Sequence, residues 1–235
     1  MANDVKITVI NDTSEDTYGL VFQQDPSLDK IFVDVFPTAW QVFPLSKKTP
    51  GSKFGGRGTA ILPIQYELGG GDTNDAFTGT VSVAKYADTK SKWELLKPSG
   101  FYALENLGTA GDNSIICLNN SGSYASMSLI KNSKPLLTYP KVGALAQATF
   151  LPINYIYVAW YTSLVEGSQI KASISTPQAV GINLDGANDV EATLTMNPNT
   201  GERKWSIKVN SQPVNTVATP RGRHQPHSIT ERVAG

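Results

Sequence analysis

Short runs in which apolar and polar side chains alternate recur along the whole chain. In the first run, residues 5–10, the apolar side chains of Val5, Ile7 and Val9 alternate with those of Lys6 and Thr8. A period of two residues is typical of a β-strand with one buried face, and turn-forming residues separate the runs. No stretch of ten residues keeps the 3.6-residue period of an amphipathic helix. The pattern therefore predicts an all-β protein.

One part of the pattern occurs twice, which indicates an internal duplication. Residues 61–68 read ILPIQYEL, and residues 150–157 read FLPINYIY. Four further landmarks recur in the same order: VIND at 9–12 and CLNN at 117–120, Asn74-Asp75 and Asn188-Asp189, TVSV at 80–83 and TLTM at 193–196, and KWEL at 92–95 and KWSI at 204–207. The simplest interpretation is a module of about 100 residues written twice, which is the usual size of a domain.

The duplication predicts two tandem β-sandwich domains followed by a flexible tail. We place the first sandwich at residues 1–97, a linker at 98–113, the second sandwich at 114–210 and an extended C-terminal tail at 211–235. The first repeat carries an extra aromatic and apolar segment at residues 24–45. This segment is either part of the sandwich or an exposed patch for a partner, and packing in the core is the commoner use of such residues.

Turn residues predict a hairpin near the end of each repeat. Residues 80–84 and 92–96 flank the sequence DTK, and residues 190–196 and 204–209 flank the sequence NPNTG. Such clusters of asparagine, aspartate, glycine and proline are typical of tight turns between antiparallel strands.

Composition limits the classes of function. Hydrophobic residues make up 40% of the chain and charged residues only 17%, which indicates a globular protein with a weakly charged surface. The 20 basic residues balance the 20 acidic ones, so no global positive field attracts nucleic acid. A surface poor in charge suits contact with copies of itself or with sugars, because fewer charges must be desolvated.

Histidine and cysteine exclude several kinds of catalysis. The 2 histidines, His224 and His227, both lie in the predicted tail, so the folded body offers none for a catalytic triad or a zinc site. The single cysteine, Cys117, lies among isoleucine and leucine and is expected to be a buried thiol. Neither a signal peptide nor an apolar run of membrane-spanning length is visible. We expect a cytoplasmic location by default, with export by an unmarked route as the exception.

Two tryptophans and two Asn-Asp pairs are the candidate ligand-binding residues. Trp40 and Trp160, each preceded by alanine, are candidates for a surface that stacks on sugars or binds a partner, although tryptophan is more often packed in a core. The pairs are Asn74 with Asp75 and Asn188 with Asp189. Their recurrence is equally explained by turns, because both residue types tolerate left-handed backbone and bond to nearby amides.

Carboxylates are the remaining route to a metal site or to hydrolysis. Asp185, Asp189 and Glu191 are calcium candidates because they offer several oxygens in a short stretch, but their spacing matches no EF-hand loop. A glycosidase-like pair would be Asp72 with Asp75 or Asp185 with Asp189. Because these residues recur in turns of both repeats, we assign no catalytic residue and predict that the protein is not an enzyme. Calcium is the one cofactor that the sequence allows.

The first 45 residues carry a further pattern. It consists of VIN at 9–11, VFQQDP at 21–26 and Ala39-Trp40. This pattern resembles the start of the bacterial RhiA-type proteins, which are associated with the rhizosphere. The resemblance implies a bacterial, non-enzymatic protein and carries over no catalytic residue.

The leading hypothesis is a non-enzymatic structural or interaction protein that self-associates into an oligomer or an extended assembly. The tail contains Arg221, Arg223 and Arg232 among few apolar residues, so it is expected not to fold alone; it either docks on a neighbouring copy through this positive charge or stays solvated. The alternative is a carbohydrate-binding, lectin-like protein, calcium-assisted, with one site in each repeat.

Overall fold

The structure, a computed structural model, describes residues 4–24, 36–73, 80–161, 165–170 and 179–211. These residues form seventeen β-strands and one short 3-10 turn, Pro98–Gly100, which confirms the all-β prediction. The strands are β1 (Val5–Asp12), β2 (Thr17–Phe22), β3 (Phe36–Pro37), β4 (Gln41–Leu45), β5 (Arg57–Leu62), β6 (Tyr66–Gly71), β7 (Val83–Ala87), β8 (Ser91–Leu96), β9 (Ala103–Thr109), β10 (Ile115–Asn120), β11 (Ala125–Lys131), β12 (Lys134–Val142), β13 (Gln147–Phe150), β14 (Tyr155–Tyr161), β15 (Ala179–Asn183), β16 (Ala187–Met196) and β17 (Arg203–Ser211). No helix in this part of the chain is long and apolar enough to cross a membrane.

The strands form four sheets, which we number I to IV. Their strand orders are β17-β16-β1-β5 in sheet I, β15-β14-β2-β4 in sheet II, β13-β10-β8-β9 in sheet III and β3-β12-β11-β6-β7 in sheet IV. Sheets I and III each contain one parallel pair, β1 with β16 and β10 with β8, flanked by antiparallel strands. Sheets II and IV are antiparallel throughout. Sheets I and III therefore match strand for strand, and so do II and IV apart from the extra strand β3.

Burial along each strand follows its place in the sheet. The edge strand β5 alternates strictly between exposed and buried residues, whereas β11, in the middle of sheet IV, is buried at every residue. Glycines let the layers approach closely. A Cβ atom on Gly19 of sheet II would lie 2.8 Å from Val9 of sheet I, and one on Gly70 of sheet IV would lie 2.5 Å from Leu95 of sheet III. Sheet I therefore faces sheet II, and sheet III faces sheet IV. One cluster of buried apolar residues contains members of all four sheets.

Strand pairing does not follow the predicted boundaries at residues 97 and 114. Sheet I joins β1 to β16, and sheet III joins β8 to β10. Strands from residues 1–97 therefore pair with strands from residues 114–210. The predicted linker also contains β9, which pairs with β8. A parallel pair needs a long connection between its strands, which residues 13–186 supply for β1 and β16 and residues 97–114 supply for β8 and β10. The repeats read along the sequence are therefore interleaved in space.

The repeated octapeptides mark two of the places where the chain passes from one pair of facing sheets to the other. The first lies between β5 of sheet I and β6 of sheet IV, and the second between β13 of sheet III and β14 of sheet II. Pro63 and Pro152 stand at these crossings. Proline offers no backbone N–H, which explains why a strand ends there. The single long strand that the alternation suggests around residues 148–160 is for this reason two strands in different sheets.

The two predicted hairpins have different outcomes. The antiparallel pair β16 and β17 is confirmed, with Gly201 at a φ of 69° in the connecting turn. The other hairpin is wrong, because β7 pairs with β6 in sheet IV while β8 pairs with β9 and β10 in sheet III. The turn at residues 88–90 thus links two facing sheets. It follows that the Lys-Trp landmarks are not counterparts, since Trp93 lies in β8, which matches β16, and Trp205 lies in β17.

The described part of the extra segment, residues 36–45, packs inside the protein. Its strand β3 adds to the edge of sheet IV by pairing with β12, and β4 pairs with β2 in sheet II. Ala39 and Trp40 are fully buried. The core interpretation of this part of the segment is confirmed.

Candidate functional site

Trp40 is not available to a ligand. Its side chain is fully buried, and its indole N–H donates a hydrogen bond to the Lys131 carbonyl oxygen at 2.9 Å. The prediction that Trp40 belongs to a binding surface is therefore wrong. A large aromatic side chain with a satisfied polar atom is what a core position demands.

Trp160 lies in β14 with one face covered by the protein itself. The Arg203 guanidinium carbon lies 4.3 Å from the centre of the Trp160 ring, and Arg203 also pairs with Glu15. A cation over an aromatic face is a favourable contact, so a ligand would have to displace it before stacking there. The half-buried Trp160 is thus occupied by Arg203 on that face.

The carboxylates proposed for calcium have separate partners. Asp185 accepts a hydrogen bond from the Asn154 amide at 2.9 Å, and Glu191 pairs with Arg57 at 3.0 Å. Asn188 and Asp189 belong to strand β16 rather than to a turn, and neighbours in a strand point to opposite faces. Among the described residues no group of three or more His, Cys, Asp or Glu side chains is placed to hold a metal ion.

Several of the predicted site residues lie outside the described residues. These are Asn74, Asp75, Arg221, Arg223 and Arg232. Asp72, which was considered with Asp75 as a pair for hydrolysis, lies within the described residues. Its carboxylate accepts hydrogen bonds from Lys97 and from the Tyr102 hydroxyl, both at 2.9 Å, and these bonds hold the pKa of Asp72 below its ordinary value. A carboxylate held ionised by two donors is suited to a fixed ion pair rather than to donating a proton.

Two buried asparagines explain one of the repeated landmarks. Asn11 and Asn119 are both fully buried near the ends of β1 and β10. The Asn11 amide donates to the carbonyl oxygens of Glu15, Leu45 and Ser46, and the Asn119 amide donates in the same way to those of Ser123, Val142 and Gly143. Each side-chain oxygen accepts the N–H two residues ahead. The echo of VIND in CLNN is therefore a matched hydrogen-bonding position.

Each octapeptide crossing is held by a polar side chain at the end of a strand. Lys131, the last residue of β11, donates from Nζ to the carbonyl oxygens of Pro63 and Ile64. Gln23, directly after β2, donates to those of Ile153 and Tyr155 at 2.7 and 3.2 Å. Sequence reasoning missed both residues. The available signal was that they stand at the same distance along the chain from Asn11 and Asn119.

Lys131 is the most perturbed cation among the described residues. It is only 5% exposed, and its ammonium lies 3.9 Å from the centre of the Tyr66 ring. Burial lowers the pKa of Lys131 to about 8, with the nearby Asp4 carboxylate opposing the shift. Burial likewise raises the pKa of Tyr66 to about 12. A lysine enclosed in this way, with backbone carbonyls as its acceptors, acts as a clamp on the crossing segment.

Cys117 is a buried strand thiol, as predicted. It is fully buried in β10, and burial raises its pKa to about 12. Because the thiolate is the reactive form, a thiol with so high a pKa is chemically inert at neutral pH.

The edge of sheet I is the candidate interaction site. β17 is the terminal strand of this sheet, and within the described part of the chain its pairing partner is β16. Its outer backbone groups are therefore a template for another strand. Trp205, Ile207 and Val209 lie opposite the buried Leu194, Ala192 and Val190, which places them on the inner face of the sheet. Val209 is nevertheless 41% exposed.

Four of the seven other terminal strands in the described sheets are less suited to adding a strand. β3 has 2 residues and β13 has 4, while β4 contains Pro44. β9 carries an extra residue at Leu107 relative to β8, followed by Gly108 at a φ of 110°. Bulges, proline and short length are the usual devices that protect sheet edges. β17 has 9 residues and contains neither proline nor an inserted residue, and the one irregularity in its pairing comes from an extra residue in β16, at Asn188.

No family model, no curated protein and no solved structure matches this chain. The resemblance of residues 9–40 to the RhiA-type proteins, the bacterial origin and the cytoplasmic location stay predictions.

Proposed function

We propose that this protein is a non-enzymatic interaction protein that self-associates by strand addition at the edge of sheet I. The observation that supports the proposal is β17, a regular strand of 9 residues at the end of its sheet. Backbone hydrogen bonds supply affinity in this mode of recognition, and side chains on alternate positions supply specificity.

The side chains of β17 suit a contact that is stable yet reversible. Lys204, Ser206 and Lys208 lie on the outer face of the sheet, and Lys208 stands opposite Glu191 of β16. Lysine on an edge strand discourages indiscriminate pairing. The exposed Val209 and the half-buried Trp205 and Ile207 offer apolar area that a second strand would cover. Each backbone hydrogen bond adds a net stabilisation of about 0.5–1.5 kcal/mol.

The finer organisation of the fold belongs to the same proposal. We infer two β-sandwich units of common origin, one made of sheets I and II and the other of sheets III and IV, with the chain passing between them at the two octapeptide crossings and on either side of β3. Their matching strand orders support this inference, as do the twin asparagines and the twin clamps at Lys131 and Gln23.

The carbohydrate-binding alternative has weaker support. Trp40 is buried and Trp160 is covered on one face by Arg203, so neither offers the open aromatic face on which sugars stack.

A pair of proline variants tests strand addition. Along an antiparallel strand, neighbouring residues direct their N–H groups to opposite sides. Of Lys208→Pro and Val209→Pro, one therefore removes a bond to β16 and the other removes an outward donor. We expect the variant that loses the outward donor to keep the native circular dichroism and to lose self-association in light scattering. The variant that loses the bond to β16 should be destabilised. The proposal is refuted if the native chain and the variant without the outward donor have the same mass in light scattering at every concentration.

A further inference from the structure

The side chains of β17 distinguish between the ways in which two copies can pair. Directly opposite residues in an antiparallel pair lie on the same face of the sheet. If two copies are to keep Trp205, Ile207 and Val209 on the inner face, the twofold axis must pass through a residue of β17 and not between two residues. A shift by one residue would turn the apolar face of one copy outward. The central registers are those with the axis at Ser206, at Ile207 or at Lys208.

Charge separates these three registers. An axis at Ser206 places Lys204 opposite Lys208 of the second copy, and an axis at Lys208 places the two Lys208 side chains opposite each other. Like charges directly opposite are destabilising. An axis at Ile207 instead places Lys204 opposite Asn210 and Lys208 opposite Ser206. The remaining approach of lysines is diagonal, at about 7–8 Å, where solvent and salt screen exposed charges.

The inner face favours the same register. An axis at Ile207 places Ile207 opposite Ile207 and Trp205 opposite Val209 of the second copy. Pairs of aromatic and β-branched side chains are among the stabilising combinations across strands. Val209, which is 41% exposed in the single chain, would be covered by the tryptophan of the second copy.

We propose that two copies of this chain pair antiparallel along β17 with the twofold axis at Ile207. The result is a continuous eight-stranded sheet in the order β5-β1-β16-β17-β17-β16-β1-β5. A contact between identical edges closes on itself, so the product is a dimer rather than a filament. This assignment rests on the proposed strand addition and adds its partner, its register and its symmetry.

Cysteine cross-linking reads the register directly. Ser206 and Lys208 are exposed, whereas the native Cys117 is fully buried. Directly opposite residues have Cα atoms about 4.5–5.5 Å apart, which a disulfide can span, and positions offset by two residues lie beyond its reach of about 7 Å. In the proposed register, an equal mixture of the full-length variants Ser206→Cys and Lys208→Cys forms cross-linked dimers under mild oxidation. Either variant alone cross-links several-fold less, and the native chain gives the background.

The outcomes separate the register from the proposed function. Efficient cross-linking of Ser206→Cys alone, or of Lys208→Cys alone, would move the axis to that residue and overturn the assignment. A dimer by light scattering that cross-links in none of the three samples overturns the register and leaves strand addition standing. A native chain that keeps its mass of 25.3 kDa at every concentration overturns both.

Charged substitutions at residue 206 test the register independently, because the proposed register predicts which charge strengthens the dimer and which weakens it. Ser206→Glu places a carboxylate opposite Lys208 of the second copy at two symmetric positions, and we expect the dimer to bind about three- to tenfold more tightly. Ser206→Lys should weaken it by a similar factor, with Ser206→Gln as the uncharged control. With the axis at Ser206 the glutamates would face each other, so weaker association of Ser206→Glu than of Ser206→Gln would contradict the proposal.

Discussion

Replacing Lys131 by glutamine should change how the stability of this protein depends on pH. Lys131 clamps the first octapeptide crossing by donating to the carbonyl oxygens of Pro63 and Ile64. Gln23 clamps the second crossing with an uncharged amide. Lys131→Gln therefore gives the first crossing the same kind of donor as the second and removes the titrating group.

Whether stability rises or falls with pH follows from the direction in which folding shifts the pKa of Lys131. Burial lowers the pKa of Lys131 in the folded state to about 8, from an ordinary value of 10.5. Below pH 8 both states carry the proton, and the folded state bears the full cost of burying the charge. Between the two pKa values the folded state has lost the proton while the unfolded state keeps it, so stability rises with pH. Bonds from the ammonium to carbonyls favour the charged form and reduce this rise.

The magnitude is measurable. A shift from 10.5 to about 8 corresponds to about 3 kcal/mol across the whole titration. The linkage relation places about 1.3 kcal/mol of this between pH 7 and pH 9. Cys117 and Tyr66 act in the opposite direction at higher pH, because their folded-state pKa values are raised to about 12. Both groups remain in the variant, so the difference between native and variant curves isolates Lys131 as long as the measurement stays below pH 9.

Urea unfolding followed by tryptophan fluorescence measures the two stabilities. Between pH 7 and pH 9, we expect the free energy of unfolding of the native chain to rise by about 1.3 kcal/mol relative to that of Lys131→Gln. Lys131→Met is the matched control that removes the charge and the donors together, and it should cost about 1–3 kcal/mol at pH 9 because two carbonyls lose their partner. Parallel curves for native and Lys131→Gln over this range would refute a lowered pKa at Lys131.

Three further predictions concern other contacts. Asn11→Ala and Asn119→Ala should each destabilise by about 3–5 kcal/mol in urea unfolding, since each leaves three carbonyl oxygens, one buried and two partly buried, without the amide donor; a loss under 1 kcal/mol would contradict the matched hydrogen bonding. Trp40→Phe should cost about 1–3 kcal/mol through the lost bond to the Lys131 carbonyl, without changing any glycan binding measured on an array. Replacing Arg221, Arg223 and Arg232 together by alanine should leave the mass in light scattering unchanged, because β17 carries the proposed contact; dissociation would assign assembly to the tail.

Local pattern predicted the strands well because alternation reports which face of a strand is buried. β5 and β8 show this alternation in their burial, whereas β1, in the interior of sheet I, is buried at five consecutive residues, 7–11. Turn chemistry also predicted the β16–β17 hairpin. The same signal failed at residues 88–90, since a tight turn can join neighbours in one sheet or cross between two facing sheets. Sequence near a turn does not contain the distant strand that decides between them.

Interleaving was hidden for a related reason. A repeated sequence indicates repeated local structure, and the matching environments of Asn11 and Asn119 agree with that. It does not indicate which copy of a strand each copy pairs with, because β1 meets equivalent surroundings whether its parallel neighbour is β8 or β16. The observed choice depends on where the crossings at residues 63–65 and 152–154 send the chain.

The candidate site was the least predictable part, because residue type alone does not indicate exposure. Trp40 and Trp160 were singled out as aromatic, yet one is fully buried in the core and the other is covered by Arg203, which lies far away in sequence. The edge position of β17 depends on the order of strands in sheet I, which only the assembled fold reveals.

Comparison of matched strands separates what the fold requires from what an interface requires. β9 and β17 occupy the same place in sheets III and I, so folding requires the same pairing of both strands. β9 has an extra residue at Leu107 and a left-handed Gly108, features that block strand addition. β17 has nine residues with no insertion or proline, and among the central registers its two lysines avoid facing each other directly only when the axis lies at Ile207. An insertion blocks any added strand, whereas the lysines of β17 disfavour only registers that bring like charges together, so the difference between the two edges is what a selective contact at β17 would explain.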